Sequence, residues 1–221
     1  KDVKGKGKTR VLELPRPSMK LLTVKLRGLD PGLLLNPFWR KAEQELEEAF
    51  TPSKAKLKRG DKDLEAEYAE RLEEVEIEEG VYAVNVLAFK KAIVRGAKAC
   101  DGVAMTDMRA GMFTLPDTIL KLGKKRVPVV HVKSDPAEMS VEHVVNKGGS
   151  PDLRARVLVT NWTADLMIEV TEHYVSIDQV LLACANAGKG VGVCDWRPQK
   201  DGPYGRWEIT SATLTELGEA A

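Results

Sequence analysis

The chain has 221 residues, of which 43% are hydrophobic and 30% are charged, with a formal net charge of +1. This is enough for one large domain, or a small domain with insertions, whose core needs neither a metal nor disulfides. The sequence has no apolar run near the roughly 20 residues that span a bilayer, and its basic start is unlike a signal peptide.

The chain begins with a Lys-, Gly- and Pro-rich stretch, residues 1–18, which we predict to be a basic flexible arm. Residues 19–221 are expected to form a single domain. Met19–Gly28 alternates apolar and polar residues and is rich in β-formers, which predicts a strand.

A charged helical insertion is predicted at about residues 37–80. It would contain a short amphipathic helix at Phe38–Phe50 and an acidic helix at Leu64–Val75, nearly all of it surface. Basic residues cluster in residues 1–20, 54–62 and 121–126, whereas acidic residues are concentrated in Glu43–Glu48 and Glu65–Glu79, so the near-neutral total hides segregated charge. Such charge either presents a basic face to a partner or belongs to solvated loops.

A longer helix is predicted at Tyr82–Cys100, with one more helical turn at Thr106–Gly111. The apolar positions of Tyr82–Cys100 recur at helical spacing, and a basic face carries Lys90, Lys91 and Arg95. That face suits a phosphate backbone. Alternatively, it is the solvated side of a helix that covers a sheet.

The remaining elements are short strands and one helix. Strands are predicted at Met112–Leu115 and Val127–Val132 around a basic loop, and at Met139–Asn146, Leu153–Val159, Ala164–Thr171 and Gly205–Thr210. Ser176 is suited to cap a helix at Ile177–Ala187. Without the insertions, the order predicts an α+β protein with a ferredoxin-like (RRM-type) βαββαβ core and a glycine-rich loop before its last strand.

The glycine-rich segment Gly188–Trp207 is the most informative part of the sequence. Besides five glycines, it contains basic residues that can neutralise phosphates and aromatic residues on which bases can stack: Lys189, Arg197, Lys200, Arg206, Trp196, Tyr204 and Trp207. Alternatively, the glycines serve turns and the tryptophans pack inside. We interpret Trp207 as a core residue because it lies in a predicted strand, whereas Trp196 fits core and surface equally.

Two arginines alternate along a predicted strand. Arg154 and Arg156 in Leu153–Val159 are two residues apart, which places both on the same side. They would suit a phosphate track or an acidic partner.

The glycine-rich loop after the last helix of a ferredoxin-like chain resembles the RAMP superfamily of CRISPR RNA-binding proteins, above all the backbone subunits that coat guide RNA. Separately, LTVKLRGLDPGLLLNP, YAVNVLAFKKAIVRGAKACDG, MTDMRAGMF and GVGVCDWRPQKDGPYGRWEI resemble a family of uncharacterised bacteriophage proteins. The RAMP resemblance implies RNA or single-stranded nucleic acid held along a basic groove. The chain lacks the long thumb hairpin of those backbone subunits.

Enzyme motifs are scarce. The sequence has no GxSxG, no GxxxxGK[ST] and no clustered Cys or His ligands, so we predict neither a metal site nor a cofactor. Some RAMP-like proteins cleave RNA with a His or Asp near the groove, which makes Asp107 and His173 the candidate catalytic residues. For Asp107 we favour a capping or ion-pairing carboxylate.

We therefore expect a protein that binds RNA or single-stranded DNA as a subunit of a larger nucleoprotein assembly, together with protein partners or further copies of itself. The alternative is a structural or adaptor subunit that does not bind nucleic acid, and a RAMP-type ribonuclease is the minority hypothesis. Three cysteines without paired spacing are typical of a reducing, cytoplasmic setting.

Overall fold

The computed structural model describes residues 19–35, 63–122, 125–145 and 151–216. The predicted arm and the predicted helix Phe38–Phe50 lie outside these ranges. Within them the chain has a mixed α+β structure, with a large antiparallel sheet, a small antiparallel sheet and four α-helices. None of the described helices is both long enough and apolar enough to cross a membrane.

The described residues form eleven strands and four α-helices. The strands are β1 (Met19–Gly28), β2 (Leu33–Leu35), β3 (Glu76–Glu78), β4 (Val81–Asn85), β5 (Met112–Leu115), β6 (Thr118–Leu122), β7 (Lys125–Lys133), β8 (Glu138–Val145), β9 (Pro151–Val159), β10 (Thr163–Thr171) and β11 (Trp207–Glu216). The helices are α1 (Leu64–Val75), α2 (Val86–Gly96), α3 (Met105–Gly111) and α4 (Ile177–Gly190).

The strands form two sheets. The large sheet has the order β11-β1-β10-β7-β4-β3, while β5 pairs with β10 and β6 pairs with β7. The small sheet has the order β2-β9-β8. Both β10 and β11 run antiparallel to β1, which lies between them, so they are parallel to each other. Helix α4 makes the connection that two parallel strands require.

The core lies between the large sheet and the helices. On β1, the alternate residues Leu22, Val24 and Leu26 are buried in one apolar cluster that also contains side chains of α2 and α4. At its edge, Phe89 of α2 packs against Trp207 at a centroid distance of 5.8 Å. Trp207 is fully buried, which confirms its interpretation as a core residue.

Helices α2 and α4 approach closely at Gly96, the last residue of α2. A Cβ atom at this position would overlap the carbonyl oxygen of Ala183 and lie 2.8 Å from the backbone nitrogen of Ala187. Only a glycine lets the two helix backbones meet in this way. The contact places the C-terminal end of α2 beside the last turns of α4.

The prediction of one helix from Tyr82 to Cys100 is wrong in its first part. Residues Val81–Asn85 form β4, which pairs with β7, and α2 begins only at Val86. The amide of Leu87 donates to the Asn85 side chain, which caps the helix. The apolar residues of β4 match a buried strand as well as a helix, and pairing with β7 decides between them.

Other boundaries differ less. The predicted basic loop between Met112–Leu115 and Val127–Val132 contains β6, which pairs with β7. Helix α4 continues to Gly190, past its predicted end. Its predicted cap is confirmed, because the amide of Gln179 donates to the Ser176 hydroxyl and the Gln179 side chain accepts from the Ser176 amide.

The close approach at Gly96 gives a stability prediction. We expect Gly96→Ala to lower the free energy of unfolding by about 1–3 kcal/mol, because the added methyl group must separate the two helices. Urea unfolding measures this difference.

Gly190→Ala is the matched control. A Cβ atom at Gly190 has no neighbour within 4 Å, so alanine should leave the stability unchanged or raise it slightly. Equal stabilities for the two variants would contradict the close-packing explanation.

Candidate nucleic-acid interface

The glycine-rich loop connects the end of α4 to the start of β11. The amides of Val191 and Gly192 both donate to the carbonyl of Ala187, at 3.0 and 2.8 Å, which ends the helix. Gly192 follows with a φ of 69°, a conformation that glycine adopts without steric cost. The chain then turns away from the helix layer.

The loop contains several backbone conformations that side chains rarely adopt. Cys194, Trp196 and Asp201 have φ values of 62°, 43° and 58°. A positive φ is unfavourable for residues with a Cβ atom, most of all for bulky ones, and persists only where surrounding contacts enforce it. The loop is therefore held by its neighbours in one defined shape.

Two glycines of the loop allow its backbone to fold on itself. A Cβ atom at Gly202 would overlap the carbonyl of Trp196, and one at Gly205 would overlap the carbonyl of Val193. Beside these approaches, the amide of Tyr204 donates to the Trp196 carbonyl at 3.2 Å. These glycines serve the packing of the loop itself.

Most backbone amides in the loop donate within the protein. Val193 donates to Gly205, while Gly205 donates to Gly32 and Asp195 donates to Leu34. The last two bonds attach the loop to β2 and the turn before it. A phosphate at this loop would therefore meet mainly side chains, because most of the backbone amides already donate within the protein.

An aromatic pair lies on the surface of the loop. The rings of Trp196 and Tyr204 have centroids 5.8 Å apart and planes inclined by 33°. Trp196 is 46% exposed, which answers the question that its sequence position left open. Tyr204 is half-buried, and burial, followed by the carboxylate of Glu142, raises the pKa of its phenol.

The predicted basic residues of the loop divide into two groups. Lys189 and Lys200 are exposed. Arg197 is half-buried and its guanidinium donates to the carbonyl of Cys194 at 2.8 Å, so it helps to shape the loop. Arg206 is also half-buried, and its Nε has no hydrogen-bond partner among the described atoms.

The arginines of β9 connect the loop to the small sheet. Arg156 forms an ion pair with Asp195 of the loop, and Arg154 lies across from Glu142 of β8. Burial lowers the pKa of Arg156, and the guanidinium groups of Arg71 and Arg154 lower it further, whereas nearby carboxylates oppose this. Arg156 thus anchors the loop through Asp195, a residue that the sequence patterns did not single out.

Helix α1 packs against β9 beside this cluster. Among the described residues, β2 pairs with β9 from Val157 to Val159. The carboxylate of Glu67 accepts from the Ala155 amide at 3.4 Å and from Arg71 at 2.6 Å. The acidic helix α1 therefore supplies a hydrogen-bond acceptor to β9, the strand whose Arg156 holds the loop.

The basic face of α2 lies on the outside of the helix layer. Lys91 and Arg95 are exposed. Lys90 sits over the ring of Phe113 at 4.3 Å, and burial, followed by the charge of Arg109, lowers the pKa of Lys90. The end of α2 that carries Arg95 meets α4 at Ala183 and Ala187, six and two residues before Lys189.

The two candidate catalytic residues make separate contacts. Asp107 is exposed on α3 and accepts a 3.4 Å hydrogen bond from the Thr106 hydroxyl. His173 is exposed in the turn after β10, edge-on to Tyr174 at 5.3 Å. In the part of the chain that the structure covers, no hydrogen bond or ion pair joins Asp107 to His173.

The three cysteines are free thiols inside the protein. Cys100, Cys184 and Cys194 are all buried. Burial raises the pKa of the Cys184 thiol to about 12, which leaves it protonated and unreactive near neutral pH. Over the described residues, no three His, Cys, Asp or Glu side chains form a group that could hold a metal ion.

The ion pair at Asp195 gives a prediction for the loop. Asp195→Asn should weaken loop docking by about 1–3 kcal/mol, so the loop opens about 5 to about 150 times more often. Cys194 should then react correspondingly faster with a thiol reagent, while Cys184 stays unreactive until the chain unfolds. Mass spectrometry of the labelled peptides gives each rate.

Asp201→Asn is the matched control, because it makes the same chemical change at an exposed position of the same loop. Asparagine also tolerates the positive φ found there. Wild-type labelling of Cys194 in the Asp195 variant would show that the ion pair does not hold the loop.

Comparison with known proteins gives no relative for this chain: neither a scan against protein-family models nor a search of curated proteins finds a match.

Proposed function

We propose that the chain binds single-stranded nucleic acid, RNA or single-stranded DNA, at the Gly188–Trp207 loop and the adjoining end of the helix layer, as a subunit of a nucleoprotein assembly. The observation that carries this proposal is the exposed indole of Trp196, paired with Tyr204 in a loop that also presents Lys200. Aromatic rings beside cations are the usual means of holding unpaired bases without reading their sequence.

The rigidity of the loop supports this role. Trp196 is held by the close packing of Gly202 against its backbone, and the adjacent Asp195 is anchored by Arg156. A ring already fixed in place loses little side-chain entropy when a base stacks on it, so more of the contact energy contributes to affinity.

Exposed basic residues of the loop and of α2 supply the charge. Lys189, Lys200, Lys91 and Arg95 form no ion pair with any carboxylate of the described ranges. Cations without a carboxylate partner are available to neutralise phosphates and release counterions. The half-buried Arg197 and Arg206 would act mainly by keeping the loop in shape.

The open face of the large sheet is a poorer candidate. On β1, Lys25 lies across from Asp165 and Arg27 is paired with Glu208 at 2.7 Å, so this face is balanced in charge. The outward positions of β1 and β10 also carry no aromatic residue that could stack on a base. RRM-type binding on the sheet surface is therefore less well supported than binding at the loop.

We also propose that β1, α2, β5, β10, α4 and β11 form a ferredoxin-like core. The order β11-β1-β10-β5 supports this arrangement, as does the passage of α4 between two parallel strands that enclose β1. The remaining strands would then be insertions into that core. The resemblance to RAMP proteins makes RNA the first ligand to test.

The test is binding of fluorescent single-stranded RNA, single-stranded DNA and duplex DNA at two salt concentrations. We expect one single-stranded ligand to bind best, with an affinity that falls as salt rises. Trp196→Ala should weaken binding about 5- to about 150-fold, the range expected for the loss of one stacked base, whereas Trp196→Phe should retain most of the affinity.

Charge-reversal variants test which surface of the protein binds the nucleic acid. Lys200→Glu and Lys189→Glu should each weaken binding and reduce its salt dependence. Lys25→Glu makes the same change on the open face of the large sheet and should have little effect on binding. A loss of binding with Lys25→Glu alone would move the site to the sheet face, and no binding to any ligand would overturn the proposal.

A further inference from the structure

Strand β11 is the outermost strand of the large sheet, and its outer edge is unpaired among the described residues. It pairs with β1 on one side, from Lys20 opposite Glu216 to Gly28 opposite Trp207. On its other side no strand of the described chain pairs with it. Residues 210–215 are all exposed, so nothing in the described ranges covers this edge.

The sequence of this edge lacks the features that keep sheet edges apart. Residues Ile209–Thr215, ITSATLT, contain neither a charged residue nor a proline, and they are rich in β-formers. The register irregularity between β1 and β11 lies before Ser211, so Ser211–Thr215 forms a regular ladder with β1. An exposed edge of this kind is a template for another strand.

Other outer strands of the protein are protected. Strand β3 is only three residues long and contains Glu76 and Glu78, while β6 carries Lys121. In the small sheet, β8 carries Glu138 and Glu142. The charged residues of β11, Glu208 and Glu216, lie near its two ends, so the middle of this strand is the part of an outer edge suited to pairing.

We propose that β11 is a self-association edge, at which two copies of the chain pair antiparallel about Thr213 and join their large sheets. This register places Thr213 opposite its own counterpart, Ser211 opposite Thr215, and Ala212 opposite Leu214. A two-fold axis requires such a self-complementary surface, and the uncharged segment Ile209–Thr215 meets that requirement because no like charges face each other.

The side chains in this register suit each other. The Thr–Thr and Ser–Thr pairs can form the cross-strand contacts that stabilise antiparallel ladders. Leu214, which is 45% exposed, lies on the same face as Leu22 and would be covered by the second copy. Since a single strand pair buries less area than a standard interface, the association is weak and depends on concentration.

The first experiment is measurement of the mass of the full chain in solution by light scattering over a wide concentration range. We expect the mass to rise from 24.4 kDa toward twice that value as concentration increases. Thr213→Lys should keep the chain monomeric at every concentration, because two lysines then face each other across the axis. Thr213→Ser should behave like the wild type.

A charge-complementation experiment tests the register. Thr213→Glu alone should also be monomeric, whereas an equimolar mixture of Thr213→Lys and Thr213→Glu chains should form a mixed dimer. Thr213 is exposed, so neither change should disturb the fold, and circular dichroism verifies this. A wild type that stays monomeric overturns the proposal. A dimer that persists in Thr213→Lys overturns it too, as does a mixture that fails to pair.

Discussion

The position of β1 between β10 and β11 is the constraint on which the rest of the structure depends. β1 is hydrogen-bonded along nearly its whole length on both sides, so the chain leaving β10 cannot reach β11 by a hairpin. It must cross over β1, which requires a helix of the length of α4 lying on the sheet. The segment Gly188–Trp207 is the return from that helix to the sheet. Its location, at the end of the helix layer and beside the small sheet, follows from this crossover.

The return segment is fixed in shape by contacts with elements distant in sequence. Asp195 pairs with Arg156 of β9, and the amide of Gly205 donates to the carbonyl of Gly32. A buried or half-buried ion pair adds little net stability, since desolvation offsets much of the attraction, but it favours one geometry over others. Here that geometry keeps the indole of Trp196 at the surface and the backbone of Cys194 inside.

The same crossover places the two proposed surfaces next to each other in the chain. The loop ends where β11 begins, so the nucleic-acid surface and the self-association edge share one strand. In the antiparallel pair proposed for β11, the two loops would lie at opposite ends of the paired strands, on the order of 40 Å apart from the rise per residue. The two surfaces involve different residues, so the binding experiment and the mass measurement test the two proposals independently.

Local patterns in the sequence determined the strands β1 and β10, the helix α4 with its Ser176 cap, and the concentration of glycine, basic and aromatic residues before β11, because alternation, capping and composition need no distant partner. They misplaced Val81–Asn85, whose apolar residues fit a buried strand and a helix alike until β7 pairs with it. They also treated the arginines as equivalent. Only the tertiary structure decided that Arg156 is engaged by Asp195 and Arg197 by a carbonyl, while Lys189 and Lys200 stay exposed, because these contacts join residues that folding alone brings together.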